Sequence, residues 1–382
     1  MFRGFWIAVS LCMALLGADS ACGKTMTVRD ISGRSVEVPL NPERIVCLGP
    51  GTLRIVVYLQ ASDKVVAVED LERLNPRGRP YWLAQPHLHG LPSAGPGGPA
   101  SINQKPNLEL ILRLNPQVVF VSYMDASLAE EVQKVLKIPV VVLSYGPFAS
   151  FDDTFFQSVF LAGQVLNREE RAVQVEGFIR SAQEDLMRRS HAAKEEPGPR
   201  VYMGGLGFRG SLGLESTDQN YPPFDWVRAA NAARELETFD KSHIVTHMET
   251  LLGLDPDIIF LDGGGIRLVQ QAYERRPEVY NVLRAFENGR VHLLHPYNWY
   301  LTNIDTALVN GYAIGKVLYG GAFDDVVLEE KADEIYGFLV GAPVHEEMEK
   351  DYGPIGALPR FIQGGAEGER RVHEGKKSLR IQ

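Results

Sequence analysis

The chain is poor in cysteine, has no excess of positive charge and, beyond its N-terminus, contains no long hydrophobic run. Three of the 382 residues are cysteine, too few for a disulfide framework or a cysteine-based metal site. The net charge of −9 argues against a nucleic-acid-binding protein, which would need a basic face. No later stretch approaches the roughly 20 apolar residues of a membrane-spanning helix. The length and a hydrophobic content of 45% instead predict a globular protein with room for two domains.

Motifs of nucleophilic and metal-dependent enzymes are absent too. There is no Gly-x-Ser-x-Gly, no His-Glu-x-x-His and no cysteine with a partnering histidine. The glycine-rich stretch 204–211 does not end in the Gly-Lys-Ser/Thr of a phosphate-binding loop. The pair His87 and His89 has the residue type of metal ligands, and the pair His243 and His247 also has the i, i+4 spacing of one helix face, but no third ligand can be placed beside either pair. We therefore predict no catalytic residue, no resident cofactor and no metal ligand.

The first 21 residues have the layout of a signal peptide. Arg3 precedes an apolar run over residues 5–16, which is too short to span a membrane comfortably, and small or polar residues follow. We therefore expect export with residues 1–21 removed. Cys22 raises the alternative of a lipid-modified N-terminus, although Asp19 stands where a lipobox has an aliphatic residue. Cys22 could also form a disulfide with Cys47, but Cys47 in Ile-Val-Cys-Leu fits a buried strand residue better.

One pattern occurs twice in the chain. In residues 107–122 and 247–262 a glutamate (Glu109, Glu249) is followed seven residues later by a proline and then by a run rich in β-branched and aromatic residues. The apolar spacing before each proline fits two turns of amphipathic helix, and the run after it fits a buried parallel strand. Each copy continues through a helical stretch (126–137; 266–286) into a short strand (140–143; 291–294) and an aromatic, proline-containing loop. This repetition predicts two α/β lobes of similar plan with a cleft between them.

A long helical pattern separates the two copies. If helical throughout, it would reach on the order of 60 Å, and a break is predicted near Gly163 and Asn167. We predict an N-terminal α/β lobe over 23–149, a linking helix over 150–193, a C-terminal α/β lobe over 198–355 and a flexible tail over 356–382. Residues 73–105 are rich in glycine and proline and form a long irregular excursion, whose aromatic and histidine residues favour a place near a ligand.

The order and spacing of these features resemble the periplasmic substrate-binding proteins of ABC importers, in the class that serves ferric siderophores, haem and cobalamin. The resemblance covers roughly residues 26–340 and rests on Pro42-Glu43-Arg44-Ile45-Val46, the two repeats, the long central helix and Asn288-Gly289-Arg290-Val291. It implies the class III periplasmic-binding-protein fold, in which two α/β lobes bridged by one long α-helix hold a ligand in the cleft with little hinge motion. It also implies a monomer in the periplasm that docks on a permease dimer.

The resemblance assigns roles to two glutamates and exposes one departure. In that family a glutamate on each lobe docks into arginine pockets of the permease, and Glu109 and Glu249 stand at the matching positions. Paired carboxylates on two matching lobes suit a two-fold symmetric partner. Many relatives have Thr-Glu where this chain has Leu53-Arg54, so a basic group is expected to face the cleft.

Ligand contacts are expected outside the carboxyl ends of the strands, where α/β sheets bind their ligands. Arg209 is the favoured charged contact, because it follows a strand between glycines and could bind an anionic oxygen bidentately; a surface salt bridge is the alternative. Tyr297, Trp299 and Tyr300 could stack on a flat ligand or cap the core of the lobe. The remaining expected contacts are Pro50, Arg54, Tyr81, Tyr145, Glu215 and Tyr221.

These observations predict a non-catalytic binding protein. We expect it to capture a metal chelate, such as a siderophore, haem or corrinoid, and to deliver it to the permease. Capture of a bare metal ion or an oxyanion on the same scaffold is the alternative, and an enzyme acting on a metal chelate is less favoured. A cleft with one arginine and several aromatic residues suits all of these chelates alike, so the residues leave the ligand open.

Overall fold

The computed structural model of the protein describes residues 24–74, 76–146, 153–193, 198–207, 210–237 and 243–362. Within these residues each half of the chain forms a parallel four-stranded sheet with helices around it. The predicted plan of two α/β lobes is therefore confirmed. The proposed signal peptide and Cys22 lie outside the described residues. None of the helices in the described part is long and apolar enough to cross a membrane.

The first lobe alternates strands and helices as predicted. Its parallel sheet has the order β4-β3-β5-β6, and β3, β5 and β6 are buried along their whole length, as expected for strands covered on both faces. An antiparallel hairpin of β1 and β2 turns at Gly33, which has a φ of 86°. Cys47 is a free, buried residue of β3, as the sequence favours. The elements are β1 (Thr25–Arg29), β2 (Ser35–Pro39), β3 (Ile45–Leu48), α1 (Thr52–Tyr58), β4 (Val65–Ala67), α2 (Asp70–Leu74), α3 (Pro80–Leu83), α4 (Leu108–Leu114), β5 (Val118–Ser122), α5 (Ala126–Leu136) and β6 (Val140–Leu143).

Two helices, α6 (Asp153–Leu166) and α7 (Glu169–Ala193), link the lobes. The chain breaks between them at Asn167, which has a φ of 54°, close to the predicted position. The Arg168 amide donates to the Gly163 carbonyl oxygen (2.7 Å) and so caps the C-terminus of α6. The link between the lobes is therefore two helices and not one continuous helix. The longer of them, α7, has 25 residues and spans about 38 Å.

The second lobe repeats the parallel plan with the strand order β12-β11-β7-β9, and a small antiparallel pair of β8 and β10 is added. The helical stretch predicted over 266–286 is divided into three helices, and Pro277 begins the second of them. The elements are β7 (Arg200–Gly204), β8 (Ser216–Asp218), α8 (Pro222–Trp226), β9 (Ala230–Asn231), β10 (His243–Val245), α9 (Met248–Leu254), β11 (Ile258–Asp262), α10 (Ile266–Arg275), α11 (Pro277–Tyr280), α12 (Arg284–Glu287) and β12 (Val291–Leu294).

The repeated helix–strand unit has the same local geometry in both lobes. Helices α4 and α9 each have seven residues and end at a left-handed residue, Asn115 (φ 50°) or Asp255 (φ 38°). A proline follows directly in each copy and prevents the helix from continuing. The chain then enters the buried central strand β5 or β11.

The chain closes with α13 (Ile304–Tyr319), α14 (Leu328–Val340) and α15 (His345–Tyr352). Helix α13 packs on α7 and α8, whereas α14 packs on α1 and α3, so the C-terminal region also contributes to the first lobe. The sequence predicts a flexible tail from Gly356 onwards, but its first residues are bound to the second lobe. The Gly356 amide donates to the Leu293 carbonyl oxygen (2.7 Å), the Leu293 amide donates to that of Ala357 (2.9 Å), and Ile362 is buried. Residues 363–382 lie outside the described part.

The largest hydrophobic cluster is shared by the two lobes. It contains Phe120 from the first sheet, Phe260 from the second sheet and Ile179 from the linking helix. Two further clusters each belong to one lobe. Because interiors are close-packed, a shared core holds the two lobes in a defined relative position.

Candidate ligand-binding site

Loops that follow the strands of both lobes meet at the carboxyl ends of the sheets. The segment 49–51 follows β3, Glu69 follows β4, and the loop 295–303 of the second lobe follows β12. The Tyr300 hydroxyl of that loop donates a hydrogen bond to the Glu69 carboxylate (2.5 Å), and Arg54 of α1 reaches the backbone of the same loop. The lobes are thus joined where α/β folds commonly bind their ligands.

A cavity of about 460 Å³ lies at this edge of the first sheet. Strand-end residues of β3 and β5 line it together with Glu69 and with residues 94–107. The excursion 73–105 therefore contributes to a concave surface, and it contains short helical turns where the sequence predicts an irregular loop. The lining residues are Leu48, Gly49, Glu69, Ala94, Gly95, Pro96, Gly97, Ala100, Ser101, Gln104, Lys105, Pro106, Asn107, Val121, Ser122 and Met124.

Glu69 is a buried carboxylate of this cavity that was not among the predicted site residues. The Gly49 amide donates to both of its oxygens (3.1 Å each), and Tyr300 donates from the second lobe. Gly97 packs so closely that a Cβ there would lie 2.8 Å from Glu69 Cβ. Burial raises the pKa of Glu69 to about 7, although the hydrogen bonds from Tyr300 and Gly49 oppose the shift.

Asp262 is a buried carboxylate of the second lobe. It ends β11, and its Oδ1 accepts a hydrogen bond from the Gly264 amide (2.7 Å). Burial raises the pKa of Asp262 to about 7. Both carboxylates stand at or just after the end of a parallel strand, so the rule that selects the aromatic loops could also have identified them.

The sequence predicts that Arg54 faces the cleft, but the structure places its side chain inside the protein. Its side chain is fully buried, and its guanidinium donates to four consecutive carbonyl oxygens of the second lobe. The guanidinium carbon lies 4.8 Å from the centre of the Tyr81 ring, and the Tyr145 hydroxyl is 3.4 Å from Nη1. Arg54 therefore acts between the lobes in this structure.

Four tyrosines that the sequence predicts as ligand contacts are buried and pack against other residues of the protein. Tyr221 and Tyr297 are buried and pack edge to face, with ring centres 5.3 Å apart. The buried Tyr81 donates its hydroxyl to Glu72 (2.8 Å), which is paired with Arg79. Tyr145 donates to the Gly51 carbonyl oxygen (3.1 Å). Burial argues against ligand contacts from these four tyrosines, because they would have to leave the core.

The other predicted contacts have different surroundings. Trp299 and Tyr300 keep part of their surface exposed beside the junction of the lobes. Pro50 is buried after β3, and Glu215 is half-buried before β8. Arg209 lies outside the described residues. A ligand role for Trp299, Tyr300, Glu215 and Arg209 stays a prediction.

Glu109 and Glu249 occupy equivalent positions. Each is the second residue of a seven-residue helix, α4 or α9, and each is exposed. The repeat therefore presents one carboxylate on each lobe, as the docking hypothesis requires. Docking itself stays a prediction.

The histidines do not form the helical pair that their spacing suggests. His243 lies in β10, and His247 precedes α9. His89 stacks on Trp82, with ring centres 4.5 Å apart. Within the described residues, no group of three or more His, Cys, Asp or Glu side chains could hold a metal ion.

The family model for periplasmic binding proteins matches residues 45–297, which contain both parallel sheets. The chain belongs to the periplasmic binding protein family. It is similar to the high-affinity heme uptake system protein IsdE of Staphylococcus aureus, with 26% identity over 208 residues that cover 53% of this chain and 68% of the relative. The family resemblance drawn from the sequence is confirmed.

Solved structures share the fold at low sequence identity. A periplasmic solute binding protein from Veillonella parvula has a TM-score of 0.66 and 17% identity, covering 86% of this chain and 97% of that one. The molybdate periplasmic binding protein MolA of Haemophilus influenzae has a TM-score of 0.65 and 20% identity, covering 83% and 98%. These similarities confirm the class III fold that the sequence implies.

Proposed function

We propose that this chain is the substrate-binding component of an ABC importer and that it captures a metal chelate, such as a siderophore, haem or corrinoid, in the periplasm. The family match over residues 45–297 carries this proposal, because it includes both parallel sheets. The similarity to a haem uptake protein favours a chelate over a bare ion.

The cavity of the first lobe supports this ligand class. Its volume of about 460 Å³ falls in the range of small-molecule sites, and its lining combines apolar residues and glycines with a few polar groups. Trp299 and Tyr300 of the second lobe keep exposed surface nearby, and their rings offer flat faces to a macrocycle or an aromatic chelate. Arg209 is the proposed charged contact for anionic oxygens.

A ligand panel tests the proposed substrate. Haem, cyanocobalamin, a ferric hydroxamate, a ferric catecholate, molybdate and Ni²⁺ are each added to the protein, and thermal unfolding and titration calorimetry are recorded. We expect one metal chelate to bind with a 1:1 stoichiometry and to raise the unfolding temperature, because a ligand of the folded state stabilises it. Stabilisation by molybdate or Ni²⁺ alone would favour the alternative of a bare ion or oxyanion.

We further propose that Glu109 and Glu249 dock on the two halves of the permease. The proposal is supported by their exposure and by their matching positions on two helices of one repeat. Carboxylates held in this way can form bidentate pairs with arginine. They lie on the helices α4 and α9 rather than on the loops that carry the ligand-binding candidates.

Charge reversal tests the docking proposal. We expect the double variant Glu109→Arg and Glu249→Arg to keep its chelate affinity and to abolish uptake in cells that contain the permease. Glu329→Arg is the matched control, because Glu329 is an exposed glutamate at the second position of α14 and lies outside the repeat. Loss of chelate affinity in the double variant would instead place the two glutamates in the pocket or the fold.

Export by residues 1–21 is part of the same proposal. The mass of the exported protein distinguishes a chain that begins after the signal peptide from one that carries a lipid on Cys22. A protein of full mass that stays in the cytoplasm would contradict export.

A further inference from the structure

We propose that Arg54 of the first lobe is a positioning residue, which holds the aromatic loop 298–303 of the second lobe in its ligand-ready shape. Its effect on ligand affinity rests on the proposed function. The contact between the lobes does not.

The backbone of the loop converges on a single guanidinium. Arg54 Nη1 donates to the Thr302 carbonyl oxygen (2.8 Å). Arg54 Nη2 donates to those of Trp299 (3.2 Å), Tyr300 (3.2 Å) and Leu301 (3.3 Å). Carbonyl oxygens carry partial negative charge and need donors when they are buried, so four of them close together are stabilised by one cationic donor group. Among the described residues no carboxylate lies within ion-pair distance of Arg54, so these carbonyl groups are its main polar partners.

The same loop has an unfavourable backbone conformation. Tyr300 (φ 51°) and Leu301 (φ 73°) are two consecutive non-glycine residues in the left-handed region. Such residues persist only where the surrounding contacts determine them, and they often mark ligand sites. The carbonyl groups of both residues are among those that Arg54 binds, so the arginine stabilises the strained turn directly.

Helix α1 also contacts the start of α13, which follows the loop 298–303 in the chain. Tyr58 lies one turn after Arg54, and its hydroxyl donates to the buried Asp305 carboxylate (2.7 Å). One face of α1 thus binds the loop through Arg54 and the start of α13 through Tyr58. On the other side of the loop, Tyr300 is bound to Glu69.

The consequence concerns Trp299 and Tyr300, which lie in this loop. A loop that is ordered before the ligand arrives does not lose its conformational entropy on binding, which strengthens affinity. Arg54 therefore acts on the ligand through the loop without contacting it. Lysine cannot replace it fully, because a single ammonium group lacks the planar fork of five donors.

Amide hydrogen exchange in the ligand-free full-length protein tests the contact itself. The Asn303 amide donates to the Tyr297 carbonyl oxygen (2.6 Å), and Asn298 and Thr302 form a β-bridge, so exchange in peptides covering 297–304 reports the shape of the loop. We expect Arg54→Met to accelerate exchange there by about tenfold or more, while exchange in β5 and β11 stays unchanged. Arg54→Lys should give an intermediate rate.

Arg44→Met is the matched control. Arg44 also donates to two backbone carbonyl groups, those of Leu114 (2.7 Å) and Asn115 (3.1 Å), but both lie within the first lobe. We expect this variant to leave exchange in 297–304 and ligand affinity unchanged. If Arg54→Met does not fold, Arg54→Lys decides the question against the same control.

Haem titration then links the loop to binding. We expect Arg54→Met to weaken haem binding by about tenfold and Arg54→Lys by less, in the same order as their exchange rates. Unchanged exchange in Arg54→Met would overturn the proposal, and a loss of affinity without faster exchange would show that Arg54 contacts the ligand. A wild-type protein that binds no haem would count against haem as the ligand, whereas the exchange result would still decide the role of Arg54.

Discussion

The two lobes share a frame but differ in the loops that meet at their junction. Gly49 (φ 81°) and Gly205 (φ 78°) follow the first strand of each parallel sheet, and Asn115 and Asp255 end the repeated helices in the same left-handed conformation. The buried charges at the junction are not repeated. The first lobe contributes Arg54, Glu69 and the Tyr58 hydroxyl, whereas the second lobe contributes carbonyl groups, the Tyr300 hydroxyl and the Asp305 carboxylate.

The repeated residues and the junction residues are therefore constrained for different reasons. The repeated residues produce helix ends, strands and the paired glutamates, which both halves need in the same form. The residues at the junction differ because each lobe must complement the other across a shared surface. Substitutions at repeated positions therefore compare the surroundings of the same backbone feature in the two lobes, whereas a substitution at the junction should affect both lobes at once.

The largest expected effect concerns the two equivalent glycines. At Gly49 a Cβ would lie 2.7 Å from Ser122 Oγ and 3.2 Å from the Ser122 carbonyl oxygen, whereas at Gly205 the nearest atom is 3.4 Å away. We expect Gly49→Ala to lower the free energy of unfolding by about 4 kcal/mol, since strain and a clash combine, and Gly205→Ala to lower it by about 1 kcal/mol, since only strain remains. Urea unfolding measures both. Equal losses would show that the two turns are packed alike.

The next effect concerns Glu69 and Asp262, two buried carboxylates from different lobes. The pKa of Glu69 is raised to about 7, so between pH 4.5 and 7 the folded protein keeps a proton that the unfolded chain has released. Stability from this group is therefore full below pH 4.5 and is lost as the pH rises through 7, by roughly 3 kcal/mol. We expect Glu69→Gln to remove this decline, and Asp262→Asn to remove a similar one. Glu329→Gln, at an exposed site, should leave the pH profile of urea unfolding unchanged, and a wild-type profile that is flat over this range would refute the shifted pKa values.

A smaller effect is expected from the hydrogen bond between the lobes. Tyr300→Phe removes a donor to Glu69 and an acceptor for the Gly98 amide, and we expect a loss of about 2 kcal/mol at pH 8. Tyr202→Phe is the control, because the buried Tyr202 hydroxyl donates to a neutral carbonyl of its own lobe, that of Leu214 (3.1 Å). Its loss should be about 1 kcal/mol. Additive effects of Tyr300→Phe and Glu69→Gln would mean that the two side chains are not coupled.

The smallest effect concerns the helix ends. Asn115→Gly should stabilise the protein by about 0.5 kcal/mol, because glycine adopts the left-handed conformation without strain. Asp255→Gly should not stabilise it, because the Asp255 carboxylate also accepts a hydrogen bond from Arg284 Nε (2.6 Å). Thermal unfolding of the two variants compares the lobes directly. A gain from Asp255→Gly would show that this ion pair contributes nothing.

The sequence predicts the frame well because its signals are local. The apolar spacing and the proline at 116 and 256 are sufficient to place α4, β5, α9 and β11. Signals that depend on distant packing were less reliable. Residues 356–362 pack against the second lobe although their composition indicates a loose tail.

The candidate site was predicted only in part. The rule that ligands bind at the carboxyl ends of strands locates the region, and the loop 295–303 does reach the junction of the lobes. It did not separate residues in the core, such as Tyr221 and Tyr297, from those that keep exposed surface, such as Trp299. Both groups are aromatic residues in loops, and only their packing distinguishes them.

The sequence by itself determines the two-lobed architecture, the family and the paired glutamates, because each of these follows from residues within one helix–strand unit or from the order of such units. The tertiary structure alone decides what Arg54 and Glu69 do. Arg54 meets the carbonyl group of Thr302, 248 residues later, and Glu69 meets Tyr300, 231 residues later. No local pattern encodes a partner at that separation, so the physical role of a buried charge appears only when the chain has folded around it.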